Sequence, residues 1–135
     1  MNVENVINDL VGYDNLKIVQ NSNYFNFSLE SVMIPRFCVL KNNMKIIDFC
    51  TGNAPIPMIL STLTDSNIIG VELQKEIYNL AVQSVKINNL EDRITLLNMN
   101  VLDIFNVYET DSFDLITCNP PYFDTNNSLF ENVNS

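Results

Sequence analysis

The chain has 135 residues, 47% hydrophobic and 17% charged, a composition that suits one globular core and lies far from that of a disordered chain. Seven Lys and Arg against sixteen Asp and Glu leave a net charge of −9, the reverse of the basic face by which nucleic-acid binders hold phosphate. No histidine is present, which excludes Ser-His and Cys-His catalysis. The three scattered cysteines, Cys38, Cys50 and Cys118, make neither a disulfide framework nor a zinc site. No apolar run reaches the ~18 residues of a membrane span, and the opening MNVENVINDL is too acidic for a targeting peptide. The expectation is a cytoplasmic protein without a membrane partner.

In chain order, Val3, Val6, Ile7 and Leu10 fall at helical spacing, with Gly12 as a left-handed stop. Residues 16–20 alternate as a short strand. Ser28 can N-cap a second helix with Leu29, Val32, Met33, Phe37 and Leu40 on one face, and Pro35 inside it predicts a kink. From Met44 strands and helices alternate. Residues 45–49 are a buried strand, and Pro55 opens a helix striped by Ile56, Ile59, Leu60 and Leu63. Residues 67–71 form a strand ending at Glu72, and Ile77, Leu80, Ala81 and Val85 mark a helix ending near Asn88. Residues 94–97 and 113–118 are two further strands. This rhythm predicts βαβ units on a parallel sheet, an α/β, Rossmann-like, doubly wound fold that stops after its fourth strand. The expected organisation is a helical or extended segment over residues 1–43 that packs on the ligand site, a core over 44–123 and a polar tail over 124–135.

The first core strand runs into Asp48-Phe-Cys-Thr-Gly-Asn-Ala-Pro55, where Gly52 lets backbone approach a ligand. Glu72 ends the next strand, where a carboxylate can accept both hydroxyls of a ribose. The dinucleotide fingerprint GxGxxG fails, because positions 50, 52 and 55 are Cys, Gly and Pro. A plain strand-turn-helix with a surface Glu has the same layout.

The last strand ends Thr117-Cys-Asn119-Pro-Pro-Tyr122, at the ligand-binding edge of such a sheet. The exocyclic nitrogen of adenine is a poor nucleophile, because its lone pair is delocalised into the ring. The Asn119 amide oxygen and the Pro120 carbonyl can both accept from that amine and stabilise charge as it develops. Pro120 and Pro121 stiffen the turn, and Tyr122 can stack on the base. An ordinary Pro-Pro turn is the plainer alternative.

These residues resemble class I S-adenosylmethionine-dependent methyltransferases, with DFCTGNAP as first motif and NPPY as catalytic motif. FNFSLES, DFCTGNAPIPMILS, IIGVELQ and LITCNPPYF are together similar to bacterial tRNA adenine-N6 methyltransferases that act on a valine tRNA, over nearly all of residues 13–123. The resemblance implies S-adenosyl-L-methionine as cofactor. It implies contacts from Asp48, Cys50 and Gly52, from Glu72 and Leu73, and from Asp103 to the adenine amine, with Val101 and Leu102 near the ring. It places Phe27, Ser28 and Glu30 over the cofactor and Asn119 against both cofactor and substrate.

The chain departs from that pattern at Ala54, where the family has glycine, and often at Cys50. Cys50 and Cys118 end neighbouring strands and are read as small buried packing residues. The family continues past NPPY with more sheet and much of its nucleic-acid surface. Here a polar tail follows, so the last strand is expected to be an open edge, available for self-association, and tRNA binding by this chain alone is expected to be weak. Two other readings remain: a protein glutamine N5-methyltransferase, which uses the same NPPY chemistry, and a non-catalytic truncated cofactor binder.

Overall fold

The computed structural model describes residues 4–24, 29–109 and 111–120. It opens with a hairpin of β1 (Val6–Leu10) and β2 (Tyr13–Gln20), antiparallel and irregular in register at Asp9/Leu10. The helix expected over the first ten residues is therefore a strand within the described part. Val6 and Ile7 are β-branched and prefer extended backbone, and Asn8 and Asp9 are weak helix formers. The turn is made at Gly12, with φ 85°. Only Leu10 of β1 is buried, whereas β2 buries Leu16, Ile18 and Val19.

The outer edge of β2 carries no further strand among the described residues; side chains satisfy it instead. Asn88 accepts from the Lys17 amide at 2.9 Å and donates to the Lys17 carbonyl at 2.6 Å. Ser84 accepts from the Val19 amide at 2.9 Å, and Asn53 donates to the Val19 carbonyl at 3.0 Å. These bonds meet the demand of buried backbone groups for partners and fasten the hairpin to the core.

Helix α1 (Leu29–Phe37) runs through Pro35 as one element. It buries Ser31, Val32 and Pro35, while Leu29, Met33 and Phe37 are exposed; of the predicted apolar face only Val32 and, beyond the end of the helix, the partly buried Leu40 pack on the core. The core follows as β3 (Ile46–Phe49), α2 (Pro55–Leu63), β4 (Ile68–Glu72), α3 (Lys75–Ile87), β5 (Ile94–Asn98), a 3-10 turn (Val101–Asn106) and β6 (Leu115–Cys118). The four core strands form a parallel sheet in the order β5-β4-β3-β6. The central position of β3 explains why its IIDF run is almost wholly buried. Helix α2 buries every residue from Pro55 to Ser61, because the sheet lies on one side and α1 and the hairpin on the other. Leu63, expected in its stripe, is half-exposed at the end.

Successive residues of β3 serve opposite faces. Ile46 packs with Ile56, Leu60 and Ile68, whereas Ile47 packs with Val71 and Ile104 of the 3-10 turn. The three helices thus share one face, and the 3-10 turn with Tyr108 and Phe113 covers the other. β6 pairs with β3 alone among the described residues, leaving the expected edge. No described helix is long and apolar enough to cross a membrane.

Candidate active site

At the carboxyl end of the sheet the turn after β3 meets the ends of β4 and β6. Three residues of this turn hold left-handed backbone: Cys50 at φ 54°, Gly52 at φ 61° and Ala54 at φ 73°. The alternation folds the chain back tightly enough that Ala54 donates to the Thr51 carbonyl at 3.0 Å and Pro55 starts α2 at once. Ala54 is fully buried, so its methyl packs in the core although its backbone is strained by about 1 kcal/mol. A Cβ built on Gly52 meets nothing within 4 Å. The backbone there faces open space.

Glu72 organises the opposite wall. Its carboxylate accepts from the Gly52 amide at 2.9 Å and from the Gln74 amide at 3.0 Å. One side chain therefore fixes the distance between the turn and the end of β4. Asn98 donates to the Glu72 and Leu73 carbonyls at 2.9 and 3.0 Å, which ties in the end of β5.

The third wall is Asn119, which follows β6. Its side-chain nitrogen donates to the Ser31 hydroxyl of α1 at 2.8 Å, which orients the amide with its oxygen end opposite. Ser31, Cys50, Thr51, Gly52, Asn53, Pro55, Glu72, Gln74, Ile77 and Asn119 line a single cleft that opens to solvent. Of the site residues expected from sequence, Cys50, Gly52, Glu72 and Asn119 are brought together there.

The others lie elsewhere. Asp48 sits beneath the turn, fully buried, and accepts from Thr51 at 2.6 Å and Thr117 at 2.7 Å. Burial pushes its carboxyl from 3.8 up to about 7, the two hydroxyl donors pulling the other way and the Glu72 charge adding to the rise. Leu73 is exposed, as are Leu102 and Asp103 on the 3-10 turn, whose start is capped by Asn100 accepting from the Leu102 amide. Val101 is half-buried beside them, and neither it, Leu73, Leu102 nor Asp103 lines the cleft. Glu30 is exposed at the first turn of α1, and Pro120 is exposed past Asn119. Phe27, Ser28, Pro121 and Tyr122 lie outside the described residues.

Cys50 and Cys118 do meet, thiol to thiol, but they are not buried: Cys50 is half-exposed and Cys118 exposed. Partial burial, with Cys118 beside it, pushes the Cys50 thiol up to about 11, and burial raises Cys118 too, so thiolate is scarce at neutral pH. Sequence reading missed Ser31, Thr51, Asn53 and Gln74. Ser31 lies inside the FNFSLES segment, and all four sit next to a residue that was named.

A family model described as RNA methyltransferase matches residues 18–133. The tRNA1(Val) (adenine(37)-N6)-methyltransferase of Mannheimia succiniciproducens is 32% identical over 97 residues, covering 70% of this chain and 39% of that protein. The release factor glutamine methyltransferase of Clostridium botulinum is 34% identical over 83 residues, covering 61% of this chain and 29% of that one. The chain thus spans roughly two fifths of the length of the tRNA-modifying relatives it matches. Among solved structures, M. capricolum TrmK in complex with S-adenosyl-homocysteine superimposes with TM-score 0.57 at 21% identity, covering 68% of this chain and 40% of that one. P. horikoshii TYW2 in complex with MeSAdo gives 0.62 at 19%, covering 73% and 37%. At such identities these two likenesses speak for the fold: a parallel α/β sheet of Rossmann type. With the family model extending over most of the chain, from β2 past the end of β6, the protein belongs to the RNA methyltransferase family.

Proposed function

We propose that the cleft binds S-adenosyl-L-methionine and that Asn119 presents an adenine N6 amine of tRNA to it. The observation that carries this reading is the seating of Asn119. Its nitrogen is held by Ser31 on the same cleft that Gly52 and Glu72 line. The residues present fit the cofactor. Glu72 offers carboxylate oxygens for a ribose diol, the bare Gly52 backbone admits close approach, and Ile77 supplies an apolar wall. Asp103 and Val101, at the same edge past β5, are further contacts if the adenine ring extends over the 3-10 turn.

When bound, the cofactor supplies an electrophilic methyl group. The protein's own part is to prepare the nitrogen that receives it. The Asn119 oxygen and the Pro120 carbonyl accept the two N–H bonds of the amine, turning the nitrogen's lone pair out of conjugation and toward the donor. Such contacts strengthen as charge develops, so they act on the transition state more than on the ground state. Neither acceptor has to titrate, in keeping with a chain that has no histidine.

RNA is favoured over a glutamine side chain by the family match and by relatives named as tRNA adenine methyltransferases. The test is transfer of a labelled methyl group to unmodified valine tRNA and, in parallel, to a glutamine-containing peptide. Label in N6-methyladenine supports the reading. Label in the peptide alone refutes the choice of substrate, and label in neither refutes catalysis by this chain.

A further inference from the structure

Asp48 is the one fully buried carboxylate among the described residues, and no described cation is paired with it. Burying such a group is costly unless its oxygens are satisfied, and the way they are satisfied is specific. Oδ2 accepts from Thr51, three residues ahead in the turn, at 2.6 Å. Oδ1 accepts from Thr117, 69 residues ahead on β6, at 2.7 Å. The sheet register sets this up: Gly70, Asp48 and Thr117 stand side by side on β4, β3 and β6, facing the same way. A Cβ on Gly70 would lie 2.9 Å from the Thr51 hydroxyl and 3.1 Å from its methyl, so the missing side chain makes the space Thr51 occupies above Asp48.

We propose that Asp48 is a positioning residue that locks the cofactor-side turn, residues 50–54, to the strand end that carries Asn119. Thr51 stands next to Gly52, the backbone that Glu72 holds, and Thr117 stands two residues before Asn119. One carboxyl group therefore sets the separation between the two walls of the cleft without lining it. Hydrophobic residues would fill the volume at less cost but would leave the turn and the end of β6, an edge strand among the described residues, joined only through the backbone ladder to β3. The assignment of the two walls to cofactor and amine rests on the function proposed above. The mechanical link does not.

The test is amide hydrogen exchange on the 135-residue chain with Thr117→Val and Thr117→Ser. Losing one of the two side-chain hydrogen bonds to this buried carboxyl should speed opening on the order of tenfold. The link requires that acceleration at Gly52 and Ala54, across the sheet in the turn, with Thr117→Ser exchanging like the parent. Acceleration confined to β6, or a serine variant that behaves like valine, overturns the proposal. Thr51→Val probes the link from the other end and should loosen the Cys118 amide and the Asn119 side-chain amide. No response there overturns the proposal as well. A titration with S-adenosyl-homocysteine separates the two ideas. A parent chain that fails to bind refutes the proposed function, while the exchange data still decide the link. If the parent binds, Thr117→Val should weaken binding on the order of tenfold, although Thr117 does not touch the cleft.

Discussion

Replacing Asp48 by Asn changes how stability depends on pH, in a direction the structure fixes. The Asp48 carboxyl is raised from 3.8 to about 7 by burial. The folded chain therefore keeps a proton that the unfolded chain gives up. The stability from that proton is fully present below about pH 4 and is lost as pH rises toward 7, above which both states have released it. A shift of roughly three units at 1.36 kcal/mol each gives an upper bound of about 4 kcal/mol. Asn at this position does not titrate, so the parent-minus-variant difference isolates Asp48 from every other acid. Urea denaturation of both chains at intervals from pH 4 to 8 measures it. The parent should lose ground to Asp48→Asn by several kcal/mol across that range and then level off. A difference that is flat, or that moves in the parent's favour with rising pH, would refute the picture of a carboxyl whose burial outweighs its two hydroxyl partners.

Asn119→Ala should lower turnover of methyl transfer at least a hundredfold, as loss of a transition-state contact does, while cofactor affinity changes far less. Equal losses in both would point to a structural role at the end of β6. Ala54→Gly relieves left-handed strain of about 1 kcal/mol but gives up a buried methyl worth about 0.8 kcal/mol and frees the unfolded chain. Urea unfolding should therefore place it within about 1 kcal/mol of the parent, and a loss above 2 kcal/mol would show that the methyl's packing dominates. The net charge of −9 predicts that the 135-residue chain does not hold tRNA tightly at physiological salt, since phosphate contacts from Lys and Arg supply most such affinity. A submicromolar, salt-sensitive affinity in an anisotropy titration would contradict that.

The alternation of strands and helices from Met44 onward was legible because its signals agree. Short β-branched runs, a proline at the start of α2 and a clean apolar stripe on α3 each point the same way. The first twenty residues carried conflicting signals. Helical spacing of Val6, Ile7 and Leu10 competed with the β-branched character of Val6 and Ile7, and the deciding partners, Ser84, Asn88 and Asn53, lie at least 33 residues ahead of the hairpin they fasten. No local pattern announces such long-range side-chain caps. The site was legible where chemistry is concentrated in a motif, at Gly52, Glu72 and Asn119, and illegible where it depends on orientation. Ser31 matters through one hydrogen bond to Asn119 across 88 residues, and Asp48, a motif position, turns its side chain inward rather than to the cleft.

The central claim is that the cleft walled by the 50–54 turn, Glu72 and Asn119 takes S-adenosyl-L-methionine. Calorimetric titration of the parent chain and of Glu72→Ala with the cofactor tests it most directly. The expected result is one saturable site in the parent, weakened in the variant by about 2 kcal/mol, roughly thirtyfold, through loss of charge-assisted bonds to the ribose. Undiminished affinity in Glu72→Ala, or no binding by the parent, would contradict the account.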